Sequence, residues 1–170
     1  MNEKNLINSA KSGDKSAFAQ LYELYKDRLY RYAFYRLGNR EDAQDAVCDT
    51  VLLAYEEIGD LRKASAFSSW IFKIQSAVCS KYIDSQVKQR QNTDIDDFKN
   101  SAKVSNCINT HTTELQEGLN ILNEQERNIV LLSVVAGFSS NEISKITGLT
   151  PGSVRSNLSR SLAKMRNFLG

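Results

Sequence analysis

One proline and eight glycines in 170 residues leave little in this chain to interrupt a helix. Apolar residues recur at intervals of three and four, the spacing that gathers side chains on one side of a helix turning about 100° per residue. No stretch of useful length alternates apolar and polar residues as a half-buried strand does. The chain therefore reads as all-α, and its 41% hydrophobic content can fill real cores. Its length suits one ordinary domain or two small ones.

The single proline sits inside the sharpest local signal, Phe138 to Leu169. Ser139-Ser140-Asn141-Glu142 has capping-box form: the serine accepts from the third helical amide, and the glutamate reaches back to the serine's own amide. A short helix starts there, with Ile143 and Ile146 on its apolar side and Gly148 as the residue that can turn left-handed at its end. Thr150-Pro151 restarts the chain as a second helix, since threonine caps well and proline at the first position loses only an amide that would be unpaired anyway. On that helix Val154, Leu158, Ser161, Leu162 and Met165 share one side. Gly152, Ser153, Ser156, Ser159 and Arg160 share the other, with Arg155 and Asn157 on the flanks. After Glu142 there is no acid, against Lys145, Arg155, Arg160, Lys164 and Arg166. A glycine turn between two capped helices, the second small, hydroxylated and basic outside, is the outline of a DNA-reading helix-turn-helix. An ordinary helical hairpin with a solvated face is the alternative. The acid-free tail argues against it, because positive charge without counter-charge suits a polyanion.

Upstream, residues 1–90 read as a separate helical block. Phe18, Leu21, Tyr22, Tyr25, Leu29 and Tyr32 keep helical spacing up to Gly38. Asn39 caps a second helix with Glu41 and Asp42 in its first turn, where the helix dipole favours negative charge. Its inward stripe is Ala43, Ala46, Val47, Thr50, Val51, Ala54 and Ile58; Asp45, Asp49 and Glu56 lie opposite, with Leu52 among them. Between Arg40 and Arg62 come Glu41, Asp42, Asp45, Asp49, Glu56, Glu57 and Asp60, and no base. That face repels nucleic acid. It reads either as a solvated helix side or as a partner surface with an apolar anchor inside a charged rim. After the loop Gly59 to Ser65, a third helix from about Phe67 to beyond Tyr82 turns Phe67, Trp70, Ile71, Ile74, Ala77 and Val78 inward, and Ser69, Lys73, Ser76 and Ser80 outward. Here the charge reverses, with Lys81, Lys88 and Arg90 following. Trp70 offers a stacking surface for a base, but its place on the apolar stripe favours core packing.

From about Val87 to Thr113 the chain turns polar and asparagine-rich, which reads as a flexible tether, centred on 91–113, before a second domain over 114–170. His111 lies there without neighbours able to form a catalytic or metal set. Cys48, Cys79 and Cys107 lack the paired spacing of a zinc site and read as buried thiols. The net charge of +2 says little, because the charges are segregated. No run approaches a membrane span, and no signal-peptide core opens the chain, so the expected location is cytoplasmic, without membrane insertion. No paired carboxylates, nucleophile with base, phosphate loop or metal cluster converges anywhere, so neither catalytic residues nor a cofactor are expected.

Three segments in this order resemble one family. Asn39-Arg40-Glu41-Asp42-Ala43-Gln44-Asp45-Ala46-Val47-Cys48-Asp49-Thr50-Val51-Leu52-Leu53-Ala54-Tyr55 is similar to region 2.1 to 2.2 of the extracytoplasmic-function (ECF) sigma factors of bacterial RNA polymerase. Phe67-Ser68-Ser69-Trp70-Ile71-Phe72-Lys73-Ile74 resembles the start of their promoter-melting helix. Leu122-Asn123-Glu124-Gln125-Glu126-Arg127-Asn128-Ile129-Val130-Leu131-Leu132, with the helix-turn-helix, resembles their region 4. The resemblance implies a non-enzymatic, all-α protein of the sigma-70 family: a region 2 bundle and a region 4 helix-turn-helix joined by the tether. Asp45, Asp49, Leu52 and Glu56 would dock on the β′ coiled coil of core polymerase, and region 4 on its β flap. Leu61, Arg62, Lys63, Ser65, Ser69, Lys73, Ser76 and Ser80 would hold the single-stranded minus-10 element. Ser153, Arg155, Ser156, Asn157, Ser159 and Arg160 would read the minus-35 duplex in the major groove. An anti-sigma factor is a further implied partner. The sequence departs from the family at Gln75-Ser76-Ala77, where an Ala-Arg-Asn-like tripeptide is usual, at Lys81, a common acidic position, and at Asn157, a frequent arginine. Basic contacts on the melting helix are thus missing or relocated.

Two other functions fit parts of the same pattern. A conventional helix-turn-helix regulator would bind duplex operators alone, usually as a dimer on a palindrome. A degenerate sigma-like protein would occupy polymerase without initiating.

Overall fold

The computed structural model describes residues 2–92 and 110–170, and among these the ordered elements are helices. They are α1 (Glu3–Lys11), α2 (Lys15–Leu37), α3 (Arg40–Glu57), α4 (Phe67–Asn92), α5 (Thr110–Asn120), α6 (Glu124–Val134), α7 (Ser140–Thr147) and α8 (Pro151–Leu169). Two 3₁₀ turns, Ile58–Asp60 and Ala64–Ala66, bridge α3 to α4. Cys107 and most of the tether lie outside the described residues, as does the side chain of His111. Of the stretch read as tether, residues 87–92 extend α4 and residues 110–113 open α5.

Helix ends follow the local chemistry. Gly38 closes α2 at φ 84°, and the next residue, Asn39, caps α3 by accepting from the Asp42 amide at 2.8 Å. The reversal needs a left-handed residue followed at once by a cap, which the Gly-Asn pair supplies. Both C-terminal capping boxes form, Asn123 with Glu126 and Ser139 with Glu142, and Gly148 ends α7 at φ 82°. Thr150 caps α8 with Pro151 in its first turn.

Sequence periodicity did not anticipate α1. Asn2 caps it, Leu6, Ile7 and Ala10 are buried, and Tyr25 of α2 donates to Glu3. The segment is too short and polar to show a stripe by itself; a tertiary surface selects the helix. Burial and the Glu3 carboxylate push the Tyr25 phenol up to about 12.

Helices α1, α3 and α4 surround α2, while α6, α7 and α8 form the second cluster with α5 against α8. The two clusters share a continuous core, with α4 meeting α7 and α2 meeting α6. Phe72 of α4 is fully buried, edge-on to Tyr32 at 5.8 Å and to Phe138 of the second cluster at 5.1 Å. Arg28 lies over the rings of Tyr25, Phe72 and Phe138 and donates to the Ala136 carbonyl.

Packing corrects several sequence assignments. Tyr22 and Ala77 face solvent rather than the core. Gln75 is fully buried: its Nε2 donates to the Leu29 carbonyl, and its Oε1 has no hydrogen-bond partner among the described residues. Cys79 is buried, with its thiol pushed up to about 12 by burial, but Cys48 is exposed on the outer flank of α3 beside Asp45 and Asp49. Trp70 is half-buried against the Phe67 ring at 5.8 Å.

Truncating a buried ring in contact on two sides leaves a cavity that neighbours fill only in part. Phe72→Ala is expected to lower unfolding free energy by about 3–5 kcal/mol in urea titration. Phe168→Ala, at a half-exposed ring, should stay within about 0.5 kcal/mol of wild type.

Candidate nucleic-acid and partner interfaces

The outward side of α8 is built as the sequence indicates. Val154, Ser161 and Met165 are buried, which leaves Gly152, Ser153, Arg155, Ser156, Ser159 and Arg160 lining an open groove. Thr150 fixes the start of the helix by accepting from the Ser153 amide at 3.2 Å. Across the turn, Thr147 Oγ1 donates to the Ile143 carbonyl at 2.8 Å and accepts from the Leu149 amide at 3.3 Å, so α7 and α8 hold a set angle. Arg160 donates to its own helix at the Ser156 carbonyl, 3.3 Å away, which leaves the rest of its guanidinium facing out. Asn157 is placed differently. Its Nδ2 donates to Gln125 at 3.4 Å and its Oδ1 accepts from Ser161 at 3.2 Å, so its amide ties α8 to α6 rather than facing the groove.

The acidic side of α3 is also exposed. Leu52 shows 61% of its surface amid Asp45, Asp49 and Glu56. Tyr55, three residues on and 42% exposed, enlarges the apolar centre while its ring packs edge-on to Phe18 at 5.2 Å. Sequence reasoning passed over Tyr55, although its i, i+3 spacing from Leu52 was the signal. Tyr82 of α4 donates to Asp49 at 2.7 Å; burial, then the Asp49 carboxylate, raises its phenol pKa well above the ordinary value.

Of the eight residues assigned to single-strand binding, seven lie on the loop and along α4, and one does not belong with them. Leu61 is 6% exposed and belongs to the core, because the 3₁₀ turns fold it inward. Arg62, Lys63 and Ser65 are exposed on the loop, and Ser69 donates to the Ala66 carbonyl at 3.2 Å, bracing its end. Lys73, Ser76 and Ser80 line a cleft between the two clusters, faced by Glu124, Gln125, Asn128, Ile129, Ile146, Thr147 and Leu149.

At the floor of that cleft lies Arg36, 5% exposed, which the sequence reading missed. Its Nη1 donates to Tyr32 Oη (2.9 Å) and to the Ser76 carbonyl (2.7 Å) and Oγ (3.3 Å); its Nη2 donates to Ser80 Oγ (2.8 Å) and its Nε to Glu124 (3.0 Å). The only signal was an arginine at a buried register of α2, four residues after Tyr32 and seven after Leu29. Asn128 completes the node by accepting from Tyr32 and donating to Ser76 Oγ at 3.2 Å.

No cluster of three or more His, Cys, Asp or Glu able to hold a metal occurs among the described residues. None of the described helices is long and apolar enough to cross a membrane.

The family model of sigma-70 region 2 matches residues 21–89, and that of sigma-70 region 4 matches residues 112–165. The ECF RNA polymerase sigma factor BldN of Streptomyces coelicolor is 25% identical over 170 aligned residues, 96% of this chain and 64% of BldN. SigW of Bacillus subtilis, also an ECF RNA polymerase sigma factor, is 24% identical over 186 aligned residues, 98% of this chain and 96% of SigW. Among solved structures, CnrH in complex with the cytosolic domain of CnrY shares the fold, with a TM-score of 0.76 at 22% identity over 98% of this chain and 96% of that one.

Glu126 joins the two ends of the second cluster. One oxygen accepts from the Asn123 amide at 3.0 Å, and the other accepts from Lys164 of α8 at 2.7 Å. Lys164 first, then the Asn123 amide, hold its carboxyl below the usual range against the opposing effect of burial. A carboxyl depressed on folding adds stability above its unfolded pKa, which is lost as pH falls through the folded one. Glu126→Gln is therefore expected to lower the melting temperature at neutral pH and to match wild type in acid, below the ordinary carboxylate range. Equal losses at both pH values in thermal circular dichroism would exclude this linkage.

Proposed function

The chain belongs to the sigma-70 family, in its ECF group, and on that premise we propose that it binds core RNA polymerase and directs initiation at promoters with its own minus-10 and minus-35 elements. The observation that carries the reading is the order of two family matches on two helical clusters of opposite surface character. Sigma factors are not enzymes, so its effect on transcription comes through binding. The proposed division is region 2 over residues 1–90, a tether over 91–113 and region 4 over 114–170.

The acidic side of α3, centred on Leu52 and Tyr55 with Asp45, Asp49 and Glu56 around them, is the proposed seat for the β′ coiled coil. Apolar anchors supply affinity, and the acids select a basic partner and repel DNA. Region 4 takes the β flap as a second grip. Arg62, Lys63 and Ser65, with Ser69, Lys73, Ser76 and Ser80, take the non-template strand of the minus-10 element. Capture of an extruded base offsets an unstacking cost of a few kcal/mol, so binding alone drives melting. Ser153, Arg155, Ser156, Ser159 and Arg160 read the minus-35 duplex, with Asn157 as the tie that holds their helix. A role on polymerase makes the cytoplasm the proposed location. CnrH is seen with the cytosolic domain of CnrY. The sigma factor RpoE of Bartonella quintana is seen with the anti-sigma factor NepR, and by analogy an anti-sigma partner is proposed here.

Run-off transcription with purified core polymerase on genomic fragments tests the reading: transcripts that appear only when this chain is added are expected. Polymerase binding without new transcripts would instead mark a sigma-like protein that does not initiate, and tight binding to a palindromic duplex by the chain alone would mark a conventional regulator. Leu52→Asp buries a charge in the proposed anchor and is expected to abolish co-purification with core polymerase, with helix content unchanged. Arg160→Ala should weaken binding to the selected minus-35 duplex by about 1–3 kcal/mol while sparing unrelated duplex. A uniform loss across sequences would make Arg160 a phosphate contact.

A further inference from the structure

Of the charged groups assigned no role above, Arg36 is the most enclosed, and it lies against residues that the proposed function gives to single-stranded DNA. Tyr32, Ser76 and Ser80, which hold it in place, all belong to the first cluster. These partners are neutral. Its ion pair is with Glu124, which α6 brings from the second cluster to 3.0 Å. The cation is therefore oriented by one cluster and neutralised by the other.

Separation of the clusters changes the two sets of contacts unequally. The neutral acceptors stay, so the guanidinium keeps its direction. The Nε hydrogen bond and the countercharge are lost, and a cation left among neutral acceptors on the first cluster's wall of the cleft attracts an anion strongly. Lys73, Ser76 and Ser80 share that wall. A fixed cation, a second mobile one and two hydroxyls in a row are the chemistry that tracks a nucleic-acid backbone. While the clusters are docked, α6 covers the same groups, because Asn128 donates to Ser76 Oγ at 3.2 Å and Glu124 occupies the free edge of Arg36.

We propose that this chain closes its own single-strand site: the Glu124 carboxylate sits on Arg36 where a DNA backbone phosphate sits once the clusters part, which makes Arg36 a further DNA-binding residue and Glu124 its internal competitor. The proposal rests on the nucleic-acid reading of α4. Opening and binding are coupled, since the observed affinity for single strand is the intrinsic affinity scaled by the fraction of open chain.

The test uses the full chain and a short fluorescein-labelled single strand of mixed sequence. Anisotropy reports binding, and small-angle X-ray scattering reports opening. Glu124→Gln and Asn128→Ala are expected to increase the radius of gyration and raise affinity by roughly fivefold or more. Glu124→Gln combined with Arg36→Gln should be equally open but lose that gain, with a salt dependence shallower by about 0.7 in log–log slope, one phosphate contact fewer. Glu124→Gln combined with Arg36→Lys keeps the cation and should retain most of the gain, which separates loss of a contact from loss of folding. An opened Glu124→Gln chain with unchanged affinity would overturn the phosphate site on Arg36, and a chain that neither opens nor gains affinity would overturn Glu124 as the internal competitor that holds the site closed. Run-off transcription judges the sigma reading separately. If no promoter-specific transcripts appear while the affinity pattern holds, that reading alone fails.

Discussion

A buried guanidinium organises the way the two clusters meet. Removing an arginine from water costs several kcal/mol unless its donors are met and its charge is balanced. In this chain the donors are met within one cluster, by Tyr32, Ser76 and Ser80, and the charge is balanced by Glu124 from the other. The register of α2 against α4, and the approach of α6 to both, are therefore coupled through one side chain. Around it the contacts grade from polar to apolar. Gln116 donates to the Tyr35 carbonyl at 3.3 Å on one side, and Phe138 meets Phe72 and Arg28 on the other. The polar contacts exchange with water at a small net cost, so the apolar contact of Phe72 with Phe138 is the main cost of parting the clusters.

Charge is partitioned in the same spirit. Acids cluster on α3 around an exposed leucine and tyrosine, while the sequence after Glu142 carries bases and no acids. A net charge of +2 would predict neither surface. Under the proposed function, like-signed faces kept apart let one small chain hold a protein and a nucleic acid at once, each face repelling the other's ligand. Glu124 is an exception, an acid carried by the second cluster and presented to a cation of the first.

What the sequence made legible was what is local. Caps, the left-handed glycine turn and the stripes of α2, α3 and α8 depend on neighbours within one or two turns, and they formed as their residues dictate, with Tyr22 of the α2 stripe turned out to solvent. The α3 stripe and its exposed Leu52 were readable because a long amphipathic helix has only one way to face a core. Illegible were the features set by tertiary contact. Leu61 looked like a loop residue and is core; Asn157 looked like a groove residue and is a brace; Cys48 looked buried and is exposed. Gln75-Ser76-Ala77 marked a departure without disclosing its cause. The structure gives a physical account: Gln75 turns into the core to the Leu29 carbonyl, and Ser76 receives the guanidinium of Arg36, brought from 40 positions earlier in the chain. The basic group expected on α4 has a counterpart supplied by α2, a relocation that no periodicity within α4 reveals.

A self-docked chain is compatible with a role on polymerase because the ligands that open it are large. Moving a two-state equilibrium from 1:99 to 99:1 requires about 5.5 kcal/mol of differential binding. A short strand contacting α4 alone gains only a few such contacts and must also displace Glu124. Polymerase, under the proposed function, holds the α3 face and the second cluster at separate seats, so part of its binding energy appears only in the open arrangement. The α3 face is exposed while the clusters are docked, since Leu52 lies on the opposite side of α3 from the buried stripe and Tyr55 on its flank. First contact with a partner there needs no opening. Under the proposed function the docked state thus hides one binding surface and presents another, and the order of events on polymerase would follow from which residues are covered.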